Sequence, residues 1–485
     1  MRNCSPVSYE KIEKMSEPDL AELRPRLAEI RASSGRKVVV LDDDPTGIQT
    51  VHGVSVFTGW SVEELTAGFQ EENTMFFVLT NSRAFTAEQT ARVHAEIARN
   101  TAAAAKATCK DFIMVSRGDS TLRGHYPLET QTLMEILTAE TGKHFDGEII
   151  MPFFKEGGRL TIDDIHYVKE GDMLVPAGLT EFAADKTFGF ASSDLKDWCE
   201  EKTGGKYSAS NVISISLEDL RAQDFDKIVK QLLSAKNYAK IIVNAVDYCD
   251  AEVFSLAFFM ALGRGKEFIL RTAAGLPKVL GGVPHKPLLT HDELVDAQNK
   301  NGGIVLVGSH VKKTTMQLEE LHNCRYPVEF IEFNQHLVLE DGGLAREVER
   351  VVDLAQRRIQ LGKTIVVHTR RQRLDLDTQD EEKQLVMAVE ISDAVTSIIG
   401  KLTVKPSFII AKGGITSSDV GTKALRVKRA TAMGQIRPGV PVWMTGEESK
   451  FPGMPYIIFP GNVGTADTLR EAVEILMEGR EEEEC

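Results

Sequence analysis

Short apolar runs alternate with amphipathic stretches of helical length along most of the chain. A short apolar run bounded by turn residues predicts a buried strand, and apolar residues that recur every three or four positions predict a helix. The predicted strands are Lys37–Leu41, Thr74–Leu79, Phe112–Val115, Glu148–Pro152, Lys240–Asn244, Ile304–Val307, Val328–Phe333, Thr364–His368, Ser407–Ile410 and Tyr456–Phe459. The predicted helices include Ala87–Ala105, Leu217–Ala235, Ala251–Leu262, Thr314–His322, 343–361 and 381–400. This alternation is typical of an α/β fold in which crossover helices flank a mostly parallel sheet.

A chain of 485 residues is too long for one ordinary hydrophobic core, so we expect two domains, each built on such a sheet. The segment 281–303 has the Gly, Pro and Asn content of a linker and places the domain boundary near residue 290. Leucines at helical spacing predict an amphipathic helix within residues 8–35. Residues 161–207 give a weaker pattern, which we interpret as loops and short helices. The predicted parts are an N-terminal helical extension (1–36), a first domain (37–290) and a second domain (291–485).

Composition and charge limit the classes of protein to consider. Apolar residues make up 42% and charged residues 26% of the chain, as in an ordinary soluble protein. No run approaches the ~20 apolar residues that span a bilayer, and the acidic N-terminus does not resemble a signal peptide, so we expect a cytoplasmic protein without a membrane partner. The net charge of −14 disfavours nucleic acid as a partner. The six cysteines show no metal-binding spacing and are expected to be reduced thiols.

The densest group of polar residues directly follows the predicted strand Phe112–Val115. The octet Arg117–Gly124 combines the carboxylate of Asp119, the hydroxyl of Ser120, the guanidinium of Arg123 and two glycines. Ligands of open α/β sheets bind at the carboxyl ends of the strands, which is where this octet lies. Any one of these residues could simply cap a helix, but a cap needs one oxygen and no arginine. The octet as a whole is therefore a candidate site.

Other predicted strands of the first half also end in polar residues. The aspartate run Asp42–Gly47, with the sequence Asp-Asp-Asp-Pro-Thr-Gly, follows the first strand. Arg83 lies in the loop after the second strand, and a loop ending in Arg159 follows the fourth. Three adjacent carboxylates repel one another, and a plain turn needs only one, so the run favours a cation or a hydroxyl-rich ligand. Arginine pairs with carboxylate groups, and Asp and Ser share hydroxyl protons, so the first half is suited to a hydroxylated carboxylate.

Glycines follow the predicted strands of the second half. Gly308-Ser309 follows one strand, Lys412–Asp419 contains two glycines after another, and Pro460–Gly464 follows the last. Backbone N–H groups at the start of a helix bind anions, and glycine lets a phosphate approach closely. The second half is therefore suited to a nucleotide. Together the two halves indicate phosphoryl transfer from a nucleotide to a small polar acid.

Two standard nucleotide motifs fail when their spacing is tested. Gly362-Lys363-Thr364 resembles the end of a phosphate-binding loop, but Arg357 stands where the first glycine is required. Gly263–Phe268 lacks the third glycine of the dinucleotide fingerprint and follows a predicted helix. An NAD(P)-dependent oxidoreductase thereby loses its main support, but we keep it as the first alternative.

Taken in order, these motifs resemble the four-carbon acid sugar kinase family. Asp43–Gly47 matches the family's D-D-x-T-G, and Asp119–Gly124 matches its D-S-T-L-R-G. The resemblance covers about 37–476, nearly the whole chain. It implies an ATP-dependent kinase that phosphorylates a hydroxyl of a short acid sugar, such as threonate, erythronate, or a 3-oxo or branched analogue. It also implies an N-terminal domain for the acid sugar, a C-terminal domain for ATP, Mg²⁺ at the transferred phosphate and an active site in the cleft between the domains.

The resemblance also implies roles for individual residues. The candidate catalytic residues are Asp43, Asp119 and Arg123, and the candidate substrate-binding residues are Asp44, Thr46, Arg83, Ser120 and Arg159. The candidate nucleotide-binding residues are Ser309, Gly413, Gly414, Ile415, Thr416, Gly461 and Asn462, while metal ligands are left unassigned. The general base is our own inference and not the family's: it must be a carboxylate within reach of the acceptor hydroxyl, and the choice is between Asp43 and Asp119. A catalytically inactive acid-sugar sensor is the second alternative, and a homo-oligomer is an open question.

The chain departs from the family pattern at three positions. Relatives often carry Lys at the position of Arg117, a leucine-like residue at Pro45 and Phe at Val463. Arg117 keeps the charge, whereas Pro45 stiffens the loop that is expected to meet the substrate. The identity of the acid sugar and of the phosphorylated hydroxyl is therefore left open.

Overall fold

The structure is a computed structural model that describes residues 5–372, 374, 381–461 and 463–479. Its β-strands are β1 (Val7–Ser8), β2 (Lys37–Asp42), β3 (Ser55–Phe57), β4 (Met75–Leu79), β5 (Phe112–Arg117), β6 (Gly147–Met151), β7 (Arg159–Ile162), β8 (Ile165–Glu170), β9 (Met173–Pro176), β10 (Ile213–Ile215), β11 (Ala239–Val243), β12 (Phe268–Thr272), β13 (Ile304–Val307), β14 (Val328–Phe333), β15 (Thr364–Thr369), β16 (Ile409–Lys412), β17 (Arg429–Arg437), β18 (Val440–Thr445) and β19 (Pro455–Phe459). Its α-helices are α1 (Glu10–Glu13), α2 (Leu23–Ser34), α3 (Val62–Gln70), α4 (Ala87–Thr108), α5 (Leu128–Thr141), α6 (Leu195–Lys202), α7 (Leu217–Arg221), α8 (Phe225–Ser234), α9 (Tyr248–Leu262), α10 (Gly275–Gly281), α11 (His291–Leu294), α12 (Lys312–Glu320), α13 (Gly343–Gln360), α14 (Glu381–Lys401), α15 (Gly414–Asp419) and α16 (Thr468–Met477). Within these ranges, no helix is long and apolar enough to cross a membrane.

The chain divides into two compact units, and the predicted two-domain α/β architecture is confirmed. The N-terminal unit comprises Met1–Thr50 and Gly59–His285, and the C-terminal unit comprises Val51–Thr58 and Lys286–Cys485. The division lies a few residues before the predicted boundary at 290. The segment Val51–Thr58 belongs to the C-terminal unit because its strand β3 pairs with β17.

Parallel strands form the main sheet of the N-terminal unit, in the order β10-β11-β6-β12-β5-β2-β4. Every residue of β2, β4, β5 and β6 is buried. A parallel strand covered by helices has no solvent-facing side, which explains why these segments are continuous apolar runs rather than alternating ones. Several helices of this unit begin at side-chain caps, and α4 starts with a capping box formed by Thr86 and Gln89.

The direction in which the chain leaves successive strands reverses between β2 and β5. After β2 the next strand of this sheet is β4 on one side, whereas after β5 it is β6 on the other side. In open α/β sheets, ligands bind beyond the carboxyl ends of the strands at such a switch point. Since β2 ends at Asp42 and β5 ends at Arg117, the aspartate run and the octet both begin there.

The interpretation of residues 161–207 as loops and short helices is wrong for their first part. Strands β7, β8 and β9 form an antiparallel sheet with β1, in the order β1-β9-β8-β7. These strands are short, and β8 ends in the exposed residues Lys169 and Glu170. The apolar alternation that would identify them is therefore too brief to stand out.

The N-terminal extension is not one helix. Val7 and Ser8 form β1, α1 is a single turn, and the predicted apolar spacing is realised in α2, where Leu23 and Leu27 are buried. Pro18 lies between the two helices, and a proline disfavours helical geometry in the residue before it. The extension packs through α2 against α9 and is part of the N-terminal unit.

The sheet of the C-terminal unit has the order β3-β17-β18-β19-β16-β13-β15-β14. Strands β14, β15, β13, β16 and β19 are parallel, whereas β18, β17 and β3 continue the sheet in antiparallel fashion. Helix α13 packs on β14 and β15 through the apolar positions of its amphipathic face, including Val348, Val352 and Ile359. The parallel strands bring the loops after β13, β16 and β19 to one edge of this sheet.

Candidate functional site

The aspartate run is held by arginines from the neighbouring strand ends. Arg83, in the turn after β4, forms a two-pronged ion pair with Asp43, with distances of 2.7 Å from Nη2 to Oδ1 and 3.1 Å from Nε to Oδ2. Its Nη1 lies 3.3 Å from Asp44 Oδ2. Burial opposes ionisation of Asp44, but Arg83 and hydrogen bonds donated by Thr46 outweigh it and lower the pKa of Asp44. Asp44 is therefore an ionised acceptor.

Asp42 and Arg117 form the inaccessible base of this group. Arg117 Nη1 lies 2.9 Å from Asp42 Oδ1 and 3.3 Å from Asp43 Oδ1. Burial outweighs the attraction of Arg117 and raises the pKa of Asp42 from 3.8 to about 7. The loop after β2 lies so close to the Asp42 side chain that position 47 must be glycine. A Cβ atom there would lie 2.1 Å from the Asp42 carboxylate oxygens. Asp42 and Arg117 therefore position Asp43, which is buried beside them.

Within the octet, Asp119 forms hydrogen bonds with Arg123 and Thr121. Arg123 Nε donates to Asp119 Oδ2 at 2.8 Å, and the Thr121 hydroxyl donates to the same oxygen. Arg83 Nη1 lies 4.0 Å from Asp119 Oδ1, which joins the octet to the aspartate run. Burial opposes ionisation of Asp119, but Arg83 and Arg123 outweigh it and hold the pKa of Asp119 well below its usual range. Asp119 is thus a fixed negative charge and a weak proton acceptor.

Arg159, the first residue of β7, reaches the same group from another direction. The guanidinium carbons of Arg123 and Arg159 lie 5.0 and 5.8 Å from the centre of the Phe182 ring. Burial lowers the pKa of Arg159, and the attraction of Asp119 opposes this only in part. Arg159 Nε is buried and has no hydrogen-bond partner among the described residues. Two guanidinium groups that share one aromatic ring are suited to hold an anionic group.

Arg271, near the end of β12, supports the octet. Its Nη2 donates to the Arg123 carbonyl oxygen at 3.2 Å, and a Cβ atom on Gly118 would lie only 1.5 Å from its Nη1. Glu129 lies 3.7 Å from Arg271 Nη1 and accepts a hydrogen bond from the Ser82 hydroxyl at 2.7 Å. Sequence analysis missed Arg271 and Glu129. No motif signal could have found Arg271, because 148 positions separate it from Arg123.

His166 holds the backbone of the octet at Ser120. Its Nε2 lies 2.8 Å from the Ser120 carbonyl oxygen, and its Nδ1 lies 3.0 Å from the Thr161 hydroxyl. A carbonyl oxygen only accepts, so Nε2 carries the proton. Burial lowers the pKa of His166 from 6.5 to about 4, which keeps the ring neutral at neutral pH. His166 therefore positions the octet without adding charge to it.

In the C-terminal unit, three glycine loops approach one another at the ends of β13, β16 and β19. A Cβ atom on Gly413 would lie 3.1 Å from Ser309 Cβ, and one on Gly461 would lie 3.6 Å from Ser309 Oγ. A Cβ atom on Gly308 would lie 2.3 Å from Thr416 Oγ1. Gly413 has a φ of 125°, which residues with a side chain rarely adopt. A side chain at Gly308 or Gly413 would push its neighbours away, whereas one at Gly461 would make ordinary van der Waals contact.

One lysine joins two of the glycine loops. Lys412, the last residue of β16, is fully buried, and its Nζ donates to the carbonyl oxygens of Pro460 at 2.7 Å and Gly461 at 3.3 Å. Burial, and to a smaller extent the neighbouring Lys313, lowers the pKa of Lys412 from 10.5 to about 7. Within the described part of the chain, no carboxylate forms an ion pair with it. A bound anion would therefore favour the charged form of Lys412.

The structure brings the predicted residues into two groups. The Asp/Arg cluster of the N-terminal unit contains Asp43, Asp44, Thr46, Arg83, Asp119, Ser120, Arg123 and Arg159. The glycine loops of the C-terminal unit contain Ser309, Gly413, Thr416 and Gly461. At the edge of these loops, a Cβ atom on Gly414 would have no neighbour within 4 Å, and Ile415 is 68% exposed. Asn462 lies outside the described residues.

A magnesium ion would find few preformed ligands. The described residues contain no group of three or more His, Cys, Asp or Glu side chains that could hold a metal. Mg²⁺ usually keeps several water ligands and binds through one or two carboxylates and the substrate phosphates, so it does not need such a group. The donor set is compatible with Mg²⁺ that arrives on a nucleotide.

Two family models match the chain. A sugar-binding N-terminal domain matches residues 38–280, and a nucleotide-binding C-terminal domain matches residues 304–469. The first range contains the Asp/Arg cluster, and the second contains the glycine loops. No match was found among the curated proteins.

Solved structures of similar fold extend over most of the chain. A protein from Salmonella typhimurium LT2, provisionally described as a tRNA synthase, has a TM-score of 0.62 at 16% identity and covers 90% of this chain and 98% of its own. A Haemophilus influenzae protein of the DUF1537 family, a domain of unknown function, has a TM-score of 0.58 at 18% identity and covers 90% of this chain and 100% of its own. At this level of identity the likeness shows the fold alone.

Proposed function

We propose that this chain, which belongs to the four-carbon acid sugar kinase family, phosphorylates a hydroxyl group of a short acid sugar with ATP. The substrates that we expect are threonate, erythronate, and their 3-oxo or branched analogues. One observation carries the proposal: a sugar-binding domain with a dense Asp/Arg cluster and a nucleotide-binding domain with converging glycine loops occur in the same chain. A kinase must bind both a hydroxyl acceptor and a nucleotide. The two kinds of site together therefore support a kinase more strongly than either site does alone.

Arg123 and Arg159 are the proposed partners of the substrate carboxylate. Their guanidinium groups share the Phe182 ring, and Arg159 Nε has no hydrogen-bond partner among the described residues. A carboxylate that accepted a hydrogen bond from this nitrogen would satisfy a buried donor, whereas a neutral sugar would leave the charge uncompensated. This arrangement supports an acid sugar rather than an ordinary sugar as the substrate.

Asp43 is the proposed general base. Asp119 is the alternative, and arginines hold both carboxylates: Arg83 and Arg117 hold Asp43, and Arg83 and Arg123 hold Asp119. In the proposed step, the acceptor hydroxyl oxygen attacks the terminal phosphorus of ATP and its proton passes to the Asp43 carboxylate. The oxygen–phosphorus bond to the acid sugar forms as the bond to ADP breaks. Asp44 and Asp119 remain ionised and accept hydrogen bonds from the other hydroxyl groups.

The glycine loops are the proposed binding site of the ATP phosphates. The backbone at Gly413 and Gly461 approaches Ser309 closely, so phosphate oxygens can reach N–H groups that a side chain would cover. Lys412 anchors the loop at Gly461 and adds positive charge behind it when an anion binds. Mg²⁺, when bound, neutralises charge on the transferred phosphate.

Two expectations from the sequence stay predictions, namely that the reaction takes place in a cleft between the domains and that the protein is cytoplasmic, and the oligomeric state stays an open question. None of them enters the argument for the kinase. The compartment and the oligomeric state would alter the physiological context and not the chemistry.

The proposal is tested by a screen for ADP release. Purified protein with Mg-ATP is incubated with D- and L-tetronates, their 3-oxo forms and branched analogues, and we expect ADP release with at least one of them. NAD(P)-dependent change in absorbance without ADP release would replace the kinase by an oxidoreductase. Binding of an acid sugar without any turnover would replace it by a sensor.

A further inference from the structure

The N-terminal unit contains a cavity whose lining includes none of the residues of the Asp/Arg cluster. The cavity has a volume of about 850 Å³ and lies among α2, the start of α9, α10 and the turn after β6. This volume is within the range of sites that bind small organic molecules. The sugar-binding role proposed above does not use this space.

Two of the cations on this cavity are neutralised by carboxylates. Arg24 forms hydrogen bonds of 3.1 and 3.2 Å with the Glu252 carboxylate. Lys155 Nζ lies 2.5 Å from Asp247 Oδ2. These pairs leave little charge for a ligand, because each cation already has a partner at hydrogen-bond distance.

Among the described residues, two other cations, Arg31 and Lys278, have no carboxylate partner. Arg31 Nη2 donates to the Val279 carbonyl oxygen at 3.2 Å, while its Nε is buried without a hydrogen-bond partner among the described residues. Lys278 Nζ lies 4.7 Å from the centre of the Tyr248 ring, and within the described ranges no carboxylate forms an ion pair with it. Burial lowers the pKa of both side chains, against the weaker attraction of an acid in each case.

The remaining acid on the cavity, Glu156, is already engaged. Its Oε1 accepts a hydrogen bond of 2.7 Å from the Tyr248 hydroxyl. Two carboxylates, Glu156 and Glu252, line the cavity, and neither forms an ion pair with Arg31 or Lys278. An anionic group near Arg31 and Lys278 would supply the carboxylate or phosphate partner that these two cations lack among the described residues.

The other walls of the cavity are apolar or aromatic. They include Leu27, Ala28 and Val283, together with the rings of Tyr9 and Tyr248. A small ion such as free phosphate would leave these walls in contact with water, whereas an organic body would bury them. We propose that this cavity binds a small organic anion, in which a phosphate or carboxylate group meets Arg31 and Lys278 and an apolar or aromatic body contacts the walls.

The test is isothermal titration of the full-length protein with phenyl phosphate, benzoate, phenol and inorganic phosphate. We expect phenyl phosphate or benzoate, or both, to bind at least tenfold more tightly than phenol and inorganic phosphate. The comparison of phenyl phosphate with benzoate identifies the preferred anionic group. Failure of both organic anions to bind, or equal binding of phenol, would overturn the proposal.

Variants locate the binding. Lys278→Met and Arg31→Gln are each expected to weaken binding of the organic anion by at least tenfold, and Lys278→Met removes a half-buried amine with little disturbance of the fold. Arg24→Gln is the matched control, because Arg24 lines the same cavity but is paired with Glu252, and its effect should stay within about threefold. Unchanged binding in both Lys278→Met and Arg31→Gln would contradict the assignment.

A further variant separates this site from the proposed active site. Arg123→Ala should remove acid-sugar turnover and leave binding of the organic anion unchanged. Loss of phenyl phosphate or benzoate binding in Arg123→Ala would instead place the anion in the Asp/Arg cluster. Failure of the kinase proposal would not affect this result, since the titration needs no turnover.

Discussion

The two units present different kinds of groups to polar ligands. In the Asp/Arg cluster, nearly every charged side chain already has a charged partner, such as the two-pronged pair of Arg83 with Asp43. In the glycine loops, the approaching atoms are backbone and hydroxyl groups, and the buried cation Lys412 donates to carbonyl oxygens. The N-terminal unit thus presents preformed ion pairs, and the C-terminal unit presents bare backbone.

The ligands proposed for the two units account for this difference. A short acid sugar offers one carboxylate and several hydroxyls at fixed angles, and side chains with directed donors and acceptors can distinguish them. Phosphates offer many equivalent oxygens, which backbone N–H groups can satisfy without selecting among them. We therefore expect charge changes to be most harmful in the N-terminal unit and changes of bulk to be most harmful in the glycine loops.

The largest difference between the effect on turnover and the effect on ATP binding should come from Asp119→Ala and Arg123→Ala. Each substitution removes one charge of the Asp119–Arg123 ion pair and leaves the other without this partner. ADP formation should therefore fall by roughly 10²–10³-fold, the size expected when one preorganised polar contact is lost. ATP binding should remain, because neither residue belongs to the glycine loops. Initial rates and titration with ATP measure the two properties, and Arg99→Ala, on an exposed position of α4, is the control. Full turnover in either variant would refute the assignment of the cluster.

The buried lysine gives the C-terminal unit a distinct dependence on pH. The folded state lowers the pKa of Lys412 to about 7 from 10.5, so the charged form is penalised. This penalty is complete below about pH 7 and disappears as the pH rises to 10.5. The free energy of unfolding of the wild type, minus that of Lys412→Met, should rise through this window by at most about 1.4 kcal/mol per pH unit. Urea denaturation at several pH values measures it, and a flat difference would show that Lys412 titrates normally.

The same substitution in the two units should have different effects on stability. Gly118→Ala places a Cβ atom 1.5 Å from Arg271 Nη1, which cannot move without breaking its contact with the Arg123 carbonyl. We expect a loss of about 1–3 kcal/mol in the free energy of unfolding, as for other overpacked sites. Gly414→Ala has open space and should leave stability unchanged. Equal urea midpoints for the two variants would contradict this difference in packing.

A bulky residue at the open position should affect only the nucleotide. Gly414→Trp has room to fold, but its ring would occupy the space proposed for the phosphates. ATP affinity should fall by at least about tenfold, or about 1.4 kcal/mol, while acid-sugar binding stays the same. Calorimetric titration with each ligand tests this, with Gly414→Ala as the control. Unchanged ATP affinity would remove Gly414 from the proposed nucleotide site.

The sequence was informative where one strand carried the whole signal. Each of β2, β5 and β16 is an apolar run followed at once by candidate functional residues, so the order of residues alone places the aspartate run, the octet and Gly413 at strand ends. Parallel strands then bring these ends to one edge of each sheet, which makes order along the chain a guide to position in space.

The sequence was uninformative where the signal depends on distant partners. Arg271 acts on the octet through a contact with Arg123 that no local pattern encodes. Burial, with smaller contributions from the neighbouring Asp43 and Asp44, raises the pKa of Asp42 to about 7, and a run of three identical residues does not display this. The strands between Arg159 and Pro176 were missed because short antiparallel strands have too few alternating positions to be recognised.

The path of Val51–Thr58 has a consequence for how the protein is made. The Ser55 hydroxyl in β3 accepts a hydrogen bond from Arg429, which is 374 positions later in the sequence, and β3 pairs with the strand that Arg429 begins. At a synthesis rate of about 5–20 residues per second, β3 leaves the ribosome roughly 20–75 s before its partner strand exists. During that time this apolar strand lacks its partner β17 in the growing chain. A gene cut at the linker would make this state permanent, so the two halves are better expressed together than as separate domains.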